Sequence, residues 1–228
     1  NKINFKMKDN RIAFVHFGKC AGSYVTRWLE TKAFVDSNYK IYNSWIKRIP
    51  ETYKGRDWNK EELSEISNDE GPAYVHNHHI AWSKDSILEF NKKGWVTFTF
   101  IRRPEDLITS LYCWSKQVYL EKGKNPLNVD SHEWDMDVFI HRCIDTALRD
   151  LWILPDYISD IKIVKEFKHS NLQDFINTEL EIQYTPIEKQ NVSNNKGFKW
   201  FRENGKIHEK TEERLFNDPD FKKYSTFI

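Results

Sequence analysis

Ile12-Ala-Phe-Val-His-Phe-Gly-Lys-Cys-Ala-Gly-Ser-Tyr24 and Trp95-Val-Thr-Phe-Thr-Phe-Ile-Arg-Arg-Pro-Glu-Asp-Leu-Ile-Thr-Ser110 decide the fold. Each opens on an apolar run suited to a buried strand. Each then passes through basic and small residues into a helical pattern. Strand–turn–helix units of this kind build anion sites at the carboxyl edge of an α/β sheet, because helix N-terminal N–H groups point at the ligand. Two of them in one chain predict a ligand with two separate phosphate groups.

Working outward, residues 95–101 are the clearest strand, rich in β-branched and aromatic types, with shorter strands at Tyr74 to His78 and Ile161 to Val164. Helices are predicted from Gly22 to about Ala33, over 83–91 with Ser83 as cap, and from Pro104 along the stripe Leu107, Leu111, Trp114 and Val118. Further helices are expected over 136–148, 172–180 and 209–216. Residues 36–72 read as helical pieces and loops, 121–136 as a polar loop, and 186–206 as irregular chain. Strands alternating with helices predict an α/β fold: a central parallel sheet flanked by helices.

At 228 residues the chain is expected to form one domain, 1–228, large enough for a sizeable core. Its 35 basic and 34 acidic residues nearly cancel, so no global field points to nucleic acid. Anion binding must come from local placement. The three cysteines, Cys20, Cys113 and Cys143, are too few for a disulfide framework and fit a reducing compartment. No run approaches the roughly 20 apolar residues of a membrane span. The expected location is the cytoplasm; a Golgi enzyme separated from an N-terminal anchor is the alternative. Nothing in the sequence fixes the oligomeric state.

At the first turn, Gly18 and Gly22 bracket Lys19, Cys20 and Ala21. Glycine lets the backbone curl so that successive N–H groups face an anion, and Lys19 adds a mobile point charge. The turn is P-loop-like but not of the Walker type. Ala13 stands where that motif has its first glycine, and Cys20 where it has the Ser or Thr that holds magnesium. A magnesium-dependent kinase is therefore disfavoured. At the second turn, Arg102 leaves the strand at its carboxyl end, where a guanidinium can grip a phosphate with two parallel hydrogen bonds. Ser110 follows two helical turns later, either as a phosphate-binding hydroxyl or as a small residue at a helix contact.

His76, His78 and His79 close the second strand, with His76 and His78 on one face and His79 on the other. Three readings stay open for them. They are metal ligands, with a distant partner such as His132; or a general base at the sheet edge; or hydrogen-bonded structural residues.

Several of these segments together resemble the sulfotransferases that use 3′-phosphoadenosine 5′-phosphosulfate (PAPS). His16-Phe-Gly-Lys-Cys-Ala-Gly-Ser-Tyr24 resembles their His-Ile-Pro-Lys-Thr-Ala-Gly-Thr-Ser loop. Phe100-Ile-Arg-Arg-Pro-Glu-Asp-Leu-Ile-Thr-Ser-Leu-Tyr112 resembles their Leu-Arg-Asp-Pro-x-x-Arg-x-x-Ser-x-Tyr element. Tyr74-Val-His-Asn-His78 is similar to the His-Gly-His segment of the carbohydrate 2-O-sulfotransferases. Weaker likenesses follow in order: Ile163-Val-Lys-Glu-Phe167, Asn191-Val-Ser193 and Asp220-Phe-Lys-Lys-Tyr224.

The resemblance implies a P-loop-like nucleotide-binding fold, PAPS as sulfuryl donor, PAP as product, and no metal. It implies that Gly18, Lys19, Cys20, Ala21, Gly22, Ser23 and Tyr24 hold the 5′-phosphosulfate, with Lys19 at the bridging oxygen. Arg102 and Ser110 would take the 3′-phosphate, and Lys196 and Gly197 would close over the nucleotide. His78 would be the base and His76 its support. Gly18, Cys20, Tyr24, Arg103 and Leu107 depart from the family pattern; Arg103 and Leu107 suggest that a positive charge has moved.

The acceptor would be a hydroxyl or amine of a glycan or small molecule, met by insertions at about 36–72 and 112–135. Trp45, Trp58, Trp82, Trp114 and Tyr112 are candidates to stack on it, and Lys47, Arg48, Lys54 and Lys116 to meet an acidic one. The alternatives are a non-catalytic nucleotide-binding module and a histidine-metal hydrolase.

Overall fold

The structure, a computed structural model, describes residues 11–20, 25, 40–43, 57–128, 135–165, 174, 178 and 197–228. The chain divides into two compact units, Asn1–Ile101 with Pro155–Lys189, and Arg102–Leu154 with Gln190–Ile228.

The first unit holds the sheet. Its strands are β1 (Arg11–His16), β2 (Lys40–Asn43), β3 (Ala73–His78), β4 (Val96–Ile101) and β5 (Lys162–Lys165). All pair in parallel, in the order β2-β3-β1-β4-β5. Strands covered on both faces read as continuous apolar runs. Accordingly, Ile12 to Val15 and Thr97 to Ile101 are buried without a break.

Parallel neighbours need crossovers. Helix α1 (Lys60–Ser67) lies between β2 and β3 in sequence, and α2 (Lys84–Lys92) between β3 and β4. Helix α1 begins in a reciprocal cap: the Asn59 side chain accepts from the Glu62 amide, and the Glu62 carboxylate accepts from the Asn59 amide. Helix α2 begins under Ser83, as its sequence predicts. The two helices pack on each other and α2 packs on β4. Phe90 lies between Trp82 and Trp95, with ring centroids 5.0 and 4.9 Å away.

Strand β2 corrects the reading of 36–72 as helices and loops. It is an edge strand of four residues, and Ile41 and Tyr42 are only half-buried, so it carries little apolar signal. It is held through Tyr42, whose hydroxyl donates to Asp69 at 2.7 Å. The chain leaves β1 for β2 and β3 on one side of the sheet, and leaves β4 for β5 on the other. The crevice beyond the carboxyl ends of β1 and β4 is therefore a topological switch point, where open α/β sheets bind ligands.

The second unit is helical: α3 (Pro104–Lys122), α4 (Met136–Asp145), α5 (Phe198–Glu203), α6 (Glu209–Asn217) and α7 (Pro219–Ser225). Helix α3 starts with Pro104 at its first position, as expected, and stops where Gly123 takes φ 61°. Helix α4 is shorter than predicted, because Thr146 leaves helical geometry and its hydroxyl caps a 3₁₀ turn over Ala147–Leu151. Helix α5 lies in chain read as irregular. A six-residue helix with only Phe198 and Phe201 buried offers no full period to detect. Arg149 ties this unit together: it donates to Asp218 at 2.9 and 3.0 Å, to Asp220, and to the Ile144 carbonyl. No disulfide joins the three cysteines. Among the described residues no helix is long and apolar enough to cross a membrane.

Of the predicted helix Gly22 to Ala33 only Val25 is described, and it is helical; of 172–180 only Asp174 and Thr178 are, both helical. The remaining residues of those two helices lie outside the described residues.

One tether positions the site. Buried Asn77 of β3 accepts from the Trp58 amide at 2.9 Å and donates to the Trp58 carbonyl at 3.0 Å. It thereby replaces a strand partner and fastens Asp57 and Trp58 beside β3. Trp58 also donates from its indole to the Tyr42 carbonyl at 3.2 Å. Asn77→Ala removes two buried hydrogen bonds to the Trp58 backbone, and is expected to cost about 1–3 kcal/mol in equilibrium urea unfolding.

Candidate active site at the carboxyl edge of the sheet

The β1–β3 register sets His16 opposite His78, and Phe14 opposite His76. Strand alternation places these four rings on one face. His76 Nε2 and His16 Nδ1 share a hydrogen bond of 3.0 Å. The His16 and His78 rings stack at 4.7 Å, and Phe14 meets the His76 ring edge-on at 5.1 Å. At the outer end, His78 Nδ1 lies 2.8 Å from Asp57 Oδ1, and the His78 amide donates to the same oxygen at 3.1 Å. His79 is different. It opens a 3₁₀ turn, is buried, and stacks flat on Phe17 at 4.3 Å.

Electrostatics separates these histidines. Burial, helped by the charge of His78 and opposed by Asp57, pushes the His76 imidazole down to about 3. Burial also pushes His16 well below its ordinary value, with His76, His78, His79 and Lys19 adding repulsion. Both are therefore neutral near pH 7. For Asp57, burial acts upward but is outweighed by the two hydrogen bonds from His78, so its pKa falls below the usual carboxylate value. Among the described residues no three His, Cys, Asp or Glu side chains are grouped to hold a metal ion. His132 lies outside the described residues.

The turn after β1 is closed by the Cys20 amide, which donates to the Phe17 carbonyl at 3.1 Å. Lys19, not Gly18, carries the unusual conformation, with φ 62°. A Cβ added at Gly18 would meet nothing within 4 Å. The backbone curl expected from Gly18 is thus borne by the lysine. That arrangement costs about 1–2 kcal/mol for a residue with a side chain. Cys20 is fully buried and its amide is engaged within the turn. Ala21, Gly22, Ser23 and Tyr24 lie outside the described residues, as does Lys196.

In the second unit, Arg102 is half-buried just before α3, and Ser110 is on the buried side of that helix. Arg103 donates to Asp106 at 2.9 and 2.7 Å and lies 3.6 Å from Glu105. Its charge is thus met by carboxylates, and Leu107 is fully buried. Gly197 precedes α5, and a Cβ there would lie 3.5 Å from Asp106 Oδ1. The chain at Gly197 therefore runs beside the first turn of α3.

The aromatic residues proposed for the acceptor need correction. Trp58, Trp82 and Tyr112 are buried. The Trp82 indole donates to the Asn77 carbonyl, and Tyr112 packs on Phe139 and Phe201. Trp114 is half-buried, and Lys116 lies over the Tyr112 ring at 5.5 Å. Trp45, Lys47, Arg48 and Lys54 lie outside the described residues. Sequence reasoning missed two members of the site. His16 stood inside the quoted loop, and only the strand pairing reveals its role. Asp57 had no signal, because it sits in a segment without periodicity.

No family model matches the chain, and no curated protein matches it. Among solved structures, mouse sulfotransferase SULT7A1 complexed with PAP superposes with a TM-score of 0.49 at 10% identity, covering 97% of this chain and 90% of that one.

Two measurements follow. Lys19→Gly relieves the positive φ and is expected to raise stability by about 1 kcal/mol in urea unfolding. Stability must also depend on His76. Below its ordinary value of 6.5 the unfolded chain binds a proton that the folded chain refuses. Stability is therefore full above that pH and falls as pH drops, by about 1.4 kcal/mol per pH unit from His76 between pH 6 and 5. Unfolding at pH 7, 6 and 5 reads the slope, and His76→Gln should reduce it by the His76 share, leaving the part that comes from His16.

Proposed function

We propose that the chain is a sulfotransferase that moves a sulfuryl group from PAPS to a hydroxyl or amine of a glycan or small-molecule acceptor and releases PAP. One juxtaposition carries the reading. The turn with Lys19 follows β1 directly, and β1 ends opposite His78. A basic turn and an imidazole base thus share one sheet edge at a switch point. The sequence around each resembles the same family.

PAPS supplies a sulfuryl group already activated by its phosphate leaving group. Lys19 and the loop Gly18 to Tyr24 hold the 5′ end. Arg102 and Ser110 hold the 3′-phosphate, and Lys196 and Gly197 cover the nucleotide. His78 accepts the proton of the acceptor as the acceptor oxygen bonds to sulfur. The bond from sulfur to the bridging oxygen breaks, and its electron pair leaves with PAP. Lys19 meets the charge that develops there. His76 supports the base without competing for the proton, because burial keeps it neutral. Segments 36–72 and 112–135 contact the acceptor, and no metal takes part.

Purified Lys19→Ala and His78→Ala are each expected to lose roughly 10²–10⁴ in PAPS turnover across an acceptor panel that the wild type uses. Wild-type turnover in His78→Ala contradicts the base assignment.

A further inference from the structure

We infer that Asp57 is a positioning residue that fixes the tautomer and the angle of His78. The inference rests on reading His78 as the base. Three observations carry it. The first is geometric: a single carboxylate oxygen, Asp57 Oδ1, receives both the His78 ring nitrogen Nδ1 at 2.8 Å and the His78 backbone amide at 3.1 Å. Two contacts from one residue to one atom fix the ring about its own backbone. The second is chemical. An ionised carboxylate only accepts, so Nδ1 must carry the hydrogen. In the neutral imidazole the lone pair is then on Nε2. The third is the anchoring of Asp57. Its neighbour Trp58 is pinned to Asn77, the residue between His76 and His78, by a pair of buried hydrogen bonds. The carboxylate is thus carried by the same strand whose imidazole it orients.

The remaining ring contacts act in the same sense. His16 stacks on His78 from β1 and is itself held by His76. His16 and His76, the imidazoles packed beside His78, are neutral near pH 7. Asp57 supplies a negative charge at the Nδ1 side of His78, while Lys19 of the turn after β1 adds a positive charge to the cluster. When Nε2 takes the acceptor proton, Nδ1–H stays in place. The imidazolium that forms faces an anion already seated, with no group required to move. The proton ends on Nε2 and leaves to solvent after product release.

The test is direct. In wild-type protein, ¹⁵N resonances of His78 are expected to show one tautomer, protonated at Nδ1. In Asp57→Ala they are expected to show a mixture. Turnover should fall about 10²-fold, with PAP affinity unchanged within twofold. Asp57→Asn keeps the shape of the segment and guards against loss of folding. It should weaken tautomer selection less than Asp57→Ala. An unchanged His78 tautomer in both variants overturns the inference. So does wild-type turnover in both variants while His78→Ala is inactive. If His78→Ala itself keeps full turnover, the functional reading fails, and the ¹⁵N spectra still decide whether Asp57 sets the tautomer.

Discussion

The parallel pairing of β1 with β3 is the constraint on which the site depends. Side chains alternate along a strand, so a slip of one residue sends every side chain to the opposite face relative to its partner. In the observed register His16 meets His78, Phe14 meets His76, and Asn77 faces away to hold Trp58. After a slip, Asn77 would stand opposite His16, and His78 and His76 would lose the His16 ring that stacks on one and hydrogen-bonds the other. The register is enforced from both sides. Ile12 to Val15 and Ala73 to Val75 are buried throughout, and Thr99 of β4 donates its hydroxyl to the Val15 carbonyl at 2.6 Å.

Charge is rationed within this edge. The two inner imidazoles, His16 and His76, are neutral and share a hydrogen bond, so they supply polar support without repelling a proton from their neighbour. The outer one, His78, is paired with an ionised carboxylate. Beyond them the turn carries Lys19 in a left-handed conformation between buried Phe17 and buried Cys20. Strain of this kind persists only where its surroundings over-determine it, and it collects at functional sites. Here the flanking side chains are locked in the core, so the turn must place its bend on the lysine.

Much of the fold was legible in the sequence. Strand β1 announced itself through the apolar run Ile12 to Val15, β4 through its β-branched and aromatic residues, and β3 through Tyr74 and Val75 leading into the histidines. Helices α2 and α3 announced themselves through Ser83 and Pro104, whose chemistry suits a helix start. The illegible parts share a cause. Strand β2 lies at an edge and α5 is a single short turn and a half, so neither has enough buried positions to set a period. The site divides the same way. Lys19, His76 and His78 stand at strand ends, where motif and position coincide. His16 matters through a partner on another strand. Asp57 matters through a loop fastened by Asn77, and no local pattern encodes such a contact. Trp58, Trp82 and Tyr112 show the reverse error: chemistry that suits a sugar was spent on the core, where large aromatic rings bury the most surface.

Calorimetric titration with PAP in the absence of magnesium, beside ADP and AMP, tests the two-phosphate reading most directly. The expected result is micromolar binding of PAP, much weaker binding of ADP and AMP, and loss of the preference in Arg102→Ala. Absence of PAP binding by the folded wild-type protein, or equal affinity for PAP and ADP, would contradict it.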